Sequence, residues 1–156
     1  MGREVERTIE VDEPLTQQAY SAVSEVFSDI LPVTVACRVP GVNFISEASY
    51  LRGTEQIMLD MYERPEWLHR FMKFVSDGCI RQITYLADNG YLTLNNRHHY
   101  TDSGGIGYTH ELPSAECQKS GKVGLKDLWW HGFAQEMSSV GPDQHDEFLL
   151  RYQLPI

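Results

Sequence analysis

The residues with the most chemistry to offer crowd into one polar stretch. His98-His99 and His110-Glu111 lie within residues 97–121, which also hold Asp102-Ser-Gly-Gly-Ile-Gly-Tyr108. Histidine titrates near neutrality and can shuttle protons or ligate a metal. The spacing is not that of a helical His-Glu-x-x-His zinc pair, because Leu112, Pro113 and Ser114 follow Glu111. No second ligand set at a recognised spacing accompanies these histidines, so hydrogen-bonding loop residues are expected rather than a metal site. Ser103-Gly-Gly-Ile-Gly107 can present backbone N–H groups to an anion. It lacks the Gly-Lys-Ser/Thr of a P-loop and the long helix that follows a dinucleotide fingerprint, so a turn-rich loop is expected.

Asn95-Asn96 closes a short apolar run and can orient a polar ligand, but an amide is no general base. Turn formation is the plain alternative for paired asparagines. Trp129-Trp130 can stack on a planar ligand or simply pack in a core. Cys37, Cys79 and Cys117 are too scattered, and too few, for a disulfide framework or a Cys-x-x-Cys zinc site. They read as free thiols in a reducing, cytoplasmic setting.

Composition narrows the partners. Of the 156 residues, 42% are hydrophobic and 22% charged, with a formal net charge of −9. The balance fits a globular domain and opposes nucleic-acid binding by phosphate neutralisation. No apolar run approaches a membrane span, and the charged start Met1-Gly-Arg-Glu is not followed by a signal-peptide core.

The elements that must position these groups follow from periodicity. Residues 15–30 read as a helix with Ala19, Val23, Phe27 and Ile30 on one face. Residues 33–39 form a β-branched run with the character of a buried strand. Helices are expected over 44–51 and from Thr54, which can serve as a cap, through Ile57, Met58 and Met61. The clearest helix opens at Pro65, carries Leu68, Phe71, Met72, Val75, Cys79, Ile83 and Leu86, and stops at Asn89-Gly90. A strand over 91–94 would then complete the αβ step of a parallel fold. Residues 97–121 read as a long loop. An amphipathic helix begins at Pro142 with Phe148, Leu149 and Tyr152. The chain ends on Leu154-Pro-Ile156 without a capping signal, and a piece of a larger protein is expected.

Three segments, in order, resemble the uroporphyrinogen decarboxylase superfamily, which includes the methylcobamide:coenzyme M methyltransferases. They are Ala48-Ser-Tyr-Leu-Arg-Gly53, Met61-Tyr-Glu-Arg-Pro-Glu-Trp-Leu-His69, and Val140-Gly-Pro142 through Phe148 to Leu154-Pro155. The resemblance covers most of the chain from about residue 31. It implies an α/β fold, part of a TIM (β/α)8 barrel of parallel strands with flanking helices. Residues 1–30 would then be a helical approach and 97–121 an active-site loop covering the strand ends as a lid.

The resemblance also assigns roles. Tyr50 matches a tyrosine of the substrate cleft, where a phenol can donate to a carboxylate. Gln135 and Glu136 stand where the family places polar substrate contacts, and Glu136 is the general acid/base candidate. Asn95, Asn96 and His110 complete the candidate substrate-binding set. Tyr50, Asn96, Gln135 and Glu136 are expected on one rim, at the carboxyl ends of parallel strands.

An amino-terminal Arg-rich substrate loop has no counterpart here, and Asn95-Asn96 stands where the decarboxylase has an acidic residue. The balance favours a corrinoid-linked methyltransferase-like branch. The alternatives are the tetrapyrrole carboxy-lyase itself and a catalytically silent binding protein. The resemblance implies no cofactor within this piece. Zinc ligands of the methyltransferase branch would fall beyond Ile156, and a corrinoid protein is the implied partner. As half of a barrel, the chain is expected to expose apolar surface on the long helix, the 91–94 strand and the terminal helix.

Overall fold

The computed structural model describes residues 10–37, 43–96, 110–156 and, for backbone alone, 100–102 and 105–106. The chain divides into two compact units, Met1–Cys37 and Arg38–Ile156.

Among its described residues the first unit holds one helix, α1 (Glu13–Phe27), followed by an irregular segment. Asp12 caps it, its carboxylate accepting from the Leu15 N–H at 2.8 Å, and Pro14 sits in the first turn where no N–H is needed. None of its residues is buried.

The second unit is helical. α2 (Phe44–Arg52), α3 (Thr54–Glu63) and the long α4 (Pro65–Asp88) follow one another with single-residue breaks. Each break has a local cause. Gly53 sits at φ +89°, a backbone conformation that side chains oppose, and so ends α2 and starts α3. Arg64 precedes Pro65, and the proline ring drives the residue before it out of the helical region, here to φ −144°. At the far end Gly90, at φ +72°, turns the chain so that the Tyr91 N–H reaches the Leu86 carbonyl at 3.0 Å.

After α4 come an extended segment and a two-stranded antiparallel hairpin, β1 (Tyr100–Asp102) with β2 (Gly105–Ile106). A short helix α5 (Ala115–Ser120) and 3-10 turns at Leu125–Asp127 and Gln135–Met137 lead to the final run. That run is α6 (Pro142–His145), a π turn (Asp146–Leu150) and α7 (Arg151–Gln153).

The core forms where α2, α3 and α4 meet the final run. Phe44, Ile45, Ala48, Ile57, Leu68, Met72, Met137 and Leu149 are fully enclosed, with Phe148 nearly so. Removing such side chains from water is the main stabilising term of a unit this size.

The helices at 44–51, from Thr54, from Pro65 and from Pro142 stand where periodicity puts them, while α1 stops three residues earlier than expected. The fold class does not stand. There is no parallel sheet and no barrel among the described residues, and the protein is helical with one small antiparallel hairpin. The runs at 33–37 and 91–94 are not strands, and residues 38–39 lie outside the described set. A β-branched or apolar run becomes a strand only when another strand takes its N–H and C=O groups. Thr54 also differs from expectation: it is the first helical residue rather than a cap, and no side-chain bond caps α3.

Candidate functional site

The best-defined polar site lies between α2 and the turn Gln135–Met137. Met137 is fully buried and anchors that turn against the core. This brings Glu136 to α2, where Ser46 donates its hydroxyl to Glu136 Oε1. The other oxygen, Oε2, is shielded from solvent and has no hydrogen-bond partner. Asn43 Oδ1 and Ser49 Oγ share that state. Asn43, Ser46 and Ser49 are spaced by three, so they form one side of α2. The side opposite is closed by Phe44, Ile45 and Ala48 in the core. A carboxylate with one oxygen held and the other unpartnered keeps an acceptor to offer a donor. Ser46 is the member that sequence reading missed. Its only signal is its position one turn before Tyr50.

The remaining expected site residues do not gather on one rim. Tyr50 extends from α2 and is 86% exposed. Gln135 faces solvent beside Glu136, and His110 is exposed on its own loop. Asn95 and Asn96 belong to a second polar place built from the 91–96 segment and the residues around 112 and 129. Asn95 Nδ2 donates to the Trp129 carbonyl at 2.9 Å, and the Trp129 N–H donates back to Asn95 Oδ1 at 2.9 Å. This side chain does for Trp129 what a neighbouring strand would do. Asn96, only 7% exposed, donates through Nδ2 to the Leu112 carbonyl. Its Oδ1 is unpartnered, as is the indole N–H of Trp129. Without parallel strands, the rule that places residues at strand ends around a common mouth has nothing to act on. Of the expected lid over 97–121, residues 97–99, 103–104 and 107–109 lie outside the described set, and the described part carries β1, β2 and α5 where one long loop was expected.

Two charged clusters serve the scaffold. Asp60 is fully buried and receives Arg52 in a forked pair, 2.7 Å to Nε and 3.2 Å to an Nη. Gln56 donates at 3.2 Å and Arg64 approaches to 3.2 Å. The Arg52 hydrogen bond holds the Asp60 carboxyl below the usual range, outweighing the desolvation that pushes the other way. Arg52 lies over the Trp67 ring, 4.9 Å from its centre, and Trp67 stacks on Phe71. Asp127 is also buried. It accepts from the Ser114 and Gly124 N–H groups at 2.8 Å each, and a hydrogen bond from the Ser114 side chain, ahead of these, holds its carboxyl below the usual range against desolvation.

His69 joins the start of α4 to the final helical run. Its Nε2 is 3.0 Å from Glu147 Oε1, and its Nδ1 is 2.8 Å from the Tyr152 hydroxyl. An ionised carboxylate only accepts, so Nε2 is the nitrogen that donates to Glu147, and in the neutral ring Nδ1 accepts from the Tyr152 hydroxyl. The ring stacks on Phe148 with centres 4.7 Å apart. Both ring nitrogens are thus engaged in holding two segments together.

No group of three His, Cys, Asp or Glu side chains among the described residues is arranged to hold a metal. No described helix is long and apolar enough to cross a membrane. Burial raises the thiols of Cys37, Cys79 and Cys117 above the ordinary value, so none is an activated nucleophile. Compared with protein-family models, with curated proteins and with solved structures, the chain matches none.

Proposed function

We propose that the chain works in corrinoid-linked methyl transfer of the kind found in the uroporphyrinogen decarboxylase superfamily. The proposal concerns the reaction class; the barrel is set aside. The observation that carries it is the meeting of the three resembling segments. Ala48, Met61, Leu68 and Phe148, drawn from all three, lie in one buried cluster. His69 of the second segment is bonded to Glu147 and Tyr152 of the third, and Arg52 of the first is paired with Asp60 beside the second. Segments read separately along the sequence thus behave as one packed unit.

In this reading Glu136 is the base. Its Oε2 would take the proton of a substrate thiol, and a bound corrinoid would supply the methyl group that the sulfur accepts. Ser46 fixes the other carboxylate oxygen and so holds the group in place. Tyr50 and Gln135, both exposed, are the substrate contacts in this reading.

Titration of the full chain with methylcobalamin and, separately, with uroporphyrin tests the proposal. A saturable spectral shift with methylcobalamin, weakened by Glu136→Gln, is expected. A shift with uroporphyrin alone would move the reading to the carboxy-lyase branch. Silence with both would overturn the superfamily reading.

A further inference from the structure

We infer that Arg52 and Arg64 together form a binding site for a phosphoryl group. Arg52 ends α2 and Arg64 stands in the break between α3 and α4, so the helix junctions bring them together. Both reach the buried carboxylate of Asp60. One Nη of Arg52 and the Nε of Arg64 each stand 3.2 Å from its Oδ1, so a single oxygen holds the two guanidiniums side by side. The Trp67 ring steadies the same pair, with Arg52 4.9 Å and Arg64 5.9 Å from its centre. The pair is open to solvent: the Arg52 side chain is 25% exposed and that of Arg64 53%.

Arg52 spends its Nε and one Nη on Asp60, which leaves its other Nη. Arg64 turns only its Nε to that carboxylate, which leaves both of its Nη groups. No other acid among the described residues pairs with either arginine, although Glu63 and Glu66 flank Arg64 in sequence. Two positive charges therefore stand against one buried negative charge. Like charges held this close repel, and an anion taken from solution relieves the repulsion.

The geometry suits phosphate better than carboxylate. A carboxylate has two oxygens in one plane and is matched by a single guanidinium fork. A phosphoryl group turns its terminal oxygens in several directions and can accept from both arginines at once. Asp60 and Trp67 hold the two long side chains in place beforehand, which lowers the entropy cost of binding. One pair of arginines on a chain of net charge −9 suits a single phosphoryl group and not a polyanion. This site is independent of the corrinoid reading, and its failure would leave that reading untouched.

Titration of the full chain with inorganic phosphate, phenyl phosphate and acetate, at constant ionic strength, tests the site. The Nε–H NMR signals of Arg52 and Arg64 are the readout. Saturable shifts with inorganic phosphate or phenyl phosphate are expected, with acetate weaker by about tenfold. The tighter of the two phosphates shows whether the site takes the free ion or an esterified group. Arg64→Gln deletes one fork while Arg52 still holds Asp60, so the protein stays folded and the Arg52 signal still reports binding. Affinity should then fall about tenfold, the worth of a charge-assisted hydrogen bond. Arg64→Lys keeps the charge without the fork and should recover only part of that loss. Shifts that grow without saturating, acetate bound as tightly as phosphate, or an affinity unchanged by Arg64→Gln would overturn the site and leave a solvated arginine pair.

Discussion

His69 and Tyr152, 83 residues apart, are joined by a 2.8 Å hydrogen bond that clasps the start of the long helix to the end of the chain. The same imidazole stacks on Phe148 and gives its other nitrogen to Glu147, so one side chain links three residues of the closing run. Tyr152→Phe deletes one bond and should cost about 1 kcal/mol. His69→Ala deletes both bonds and the ring contact and should cost about 2–3 kcal/mol. Urea unfolding measures both. Equal stabilities for the two variants would show that the clasp does not hold the segments together.

Arg52 and Asp60 make the second clasp, and its two halves are not equivalent. Asp60 is fully buried while the Arg52 side chain is 25% exposed. Arg52→Ala leaves a buried carboxylate with Gln56 and the more exposed Arg64, and about 3 kcal/mol of stability should be lost. Asp60→Asn leaves cations that can turn to water, so the loss should be smaller, about 1–2 kcal/mol. The reverse order in chemical denaturation would contradict this account of the pair.

Acid sensitivity follows from the same carboxylate and from Asp127. Both have folded-state pKa values below the ordinary one. A carboxyl with a depressed folded pKa stabilises the fold above its unfolded value, near 3.9, and that contribution is lost as pH falls through the folded value. Stability should therefore hold from neutrality to about pH 5 and decline steadily below it. Asp127→Asn should flatten part of that decline. An unchanged slope between about pH 5 and pH 3 in that variant would exclude Asp127 as a source.

Helices were legible in the sequence because their signals are local. Pro65, Gly53 and Asn89-Gly90 fix breaks through backbone sterics alone, and the apolar spacing from Leu68 to Leu86 fixes the buried face of α4. The strands and the barrel were misread because they depend on partners far along the chain. Residues 91–94 have the composition of a strand, yet Asn95 and Trp129 make the pairing through one side chain instead. The candidate site depends on contacts between distant segments. Glu136 could be named from position, but Ser46, 90 residues away, emerges only once the turn at Gln135–Met137 docks on α2. Tyr50 was named from resemblance and lies in solvent, because the buried face of α2 is taken by Phe44, Ile45 and Ala48. Exposed apolar surface was expected on α4, but much of its apolar face is covered by the final run. Exposed apolar residues lie on and just after α1, such as Ile30, on α2 and α3, such as Leu51 and Tyr62, and in the terminal run, where Leu154 is 74% exposed.

Gly53 carries a conformational demand that can be separated from packing. It holds φ +89°, and nothing lies within 4 Å of where a Cβ would stand. Gly53→Ala should therefore cost about 1 kcal/mol or somewhat more, all of it from backbone strain. Gly53→Asn, whose side chain tolerates positive φ better, should recover part of the loss. Thermal melts of the two variants decide the matter, and an alanine variant as stable as the parent would mean that the α2–α3 junction relaxes to another conformation.

The reciprocal bonds between Asn95 and the Trp129 backbone give a prediction whose size depends on pH. Asn95→Asp keeps an acceptor for the Trp129 N–H, but an ionised carboxylate has no proton to give the Trp129 carbonyl. The carboxylate would face that carbonyl oxygen, so ionisation is disfavoured in the folded state and the introduced group's folded pKa lies above its unfolded value. Stability contributed by its protonated form is then present below the unfolded pKa and is lost as pH rises through the folded pKa. The variant should approach parental stability at about pH 4 and fall short by about 2 kcal/mol at neutrality. Hydrogen exchange at the Trp129 amide should accelerate over the same pH range relative to the parent. A deficit that is constant with pH, or a Trp129 amide as protected as in the parent at neutrality, would show that the Asn95 side chain does not substitute for a neighbouring strand.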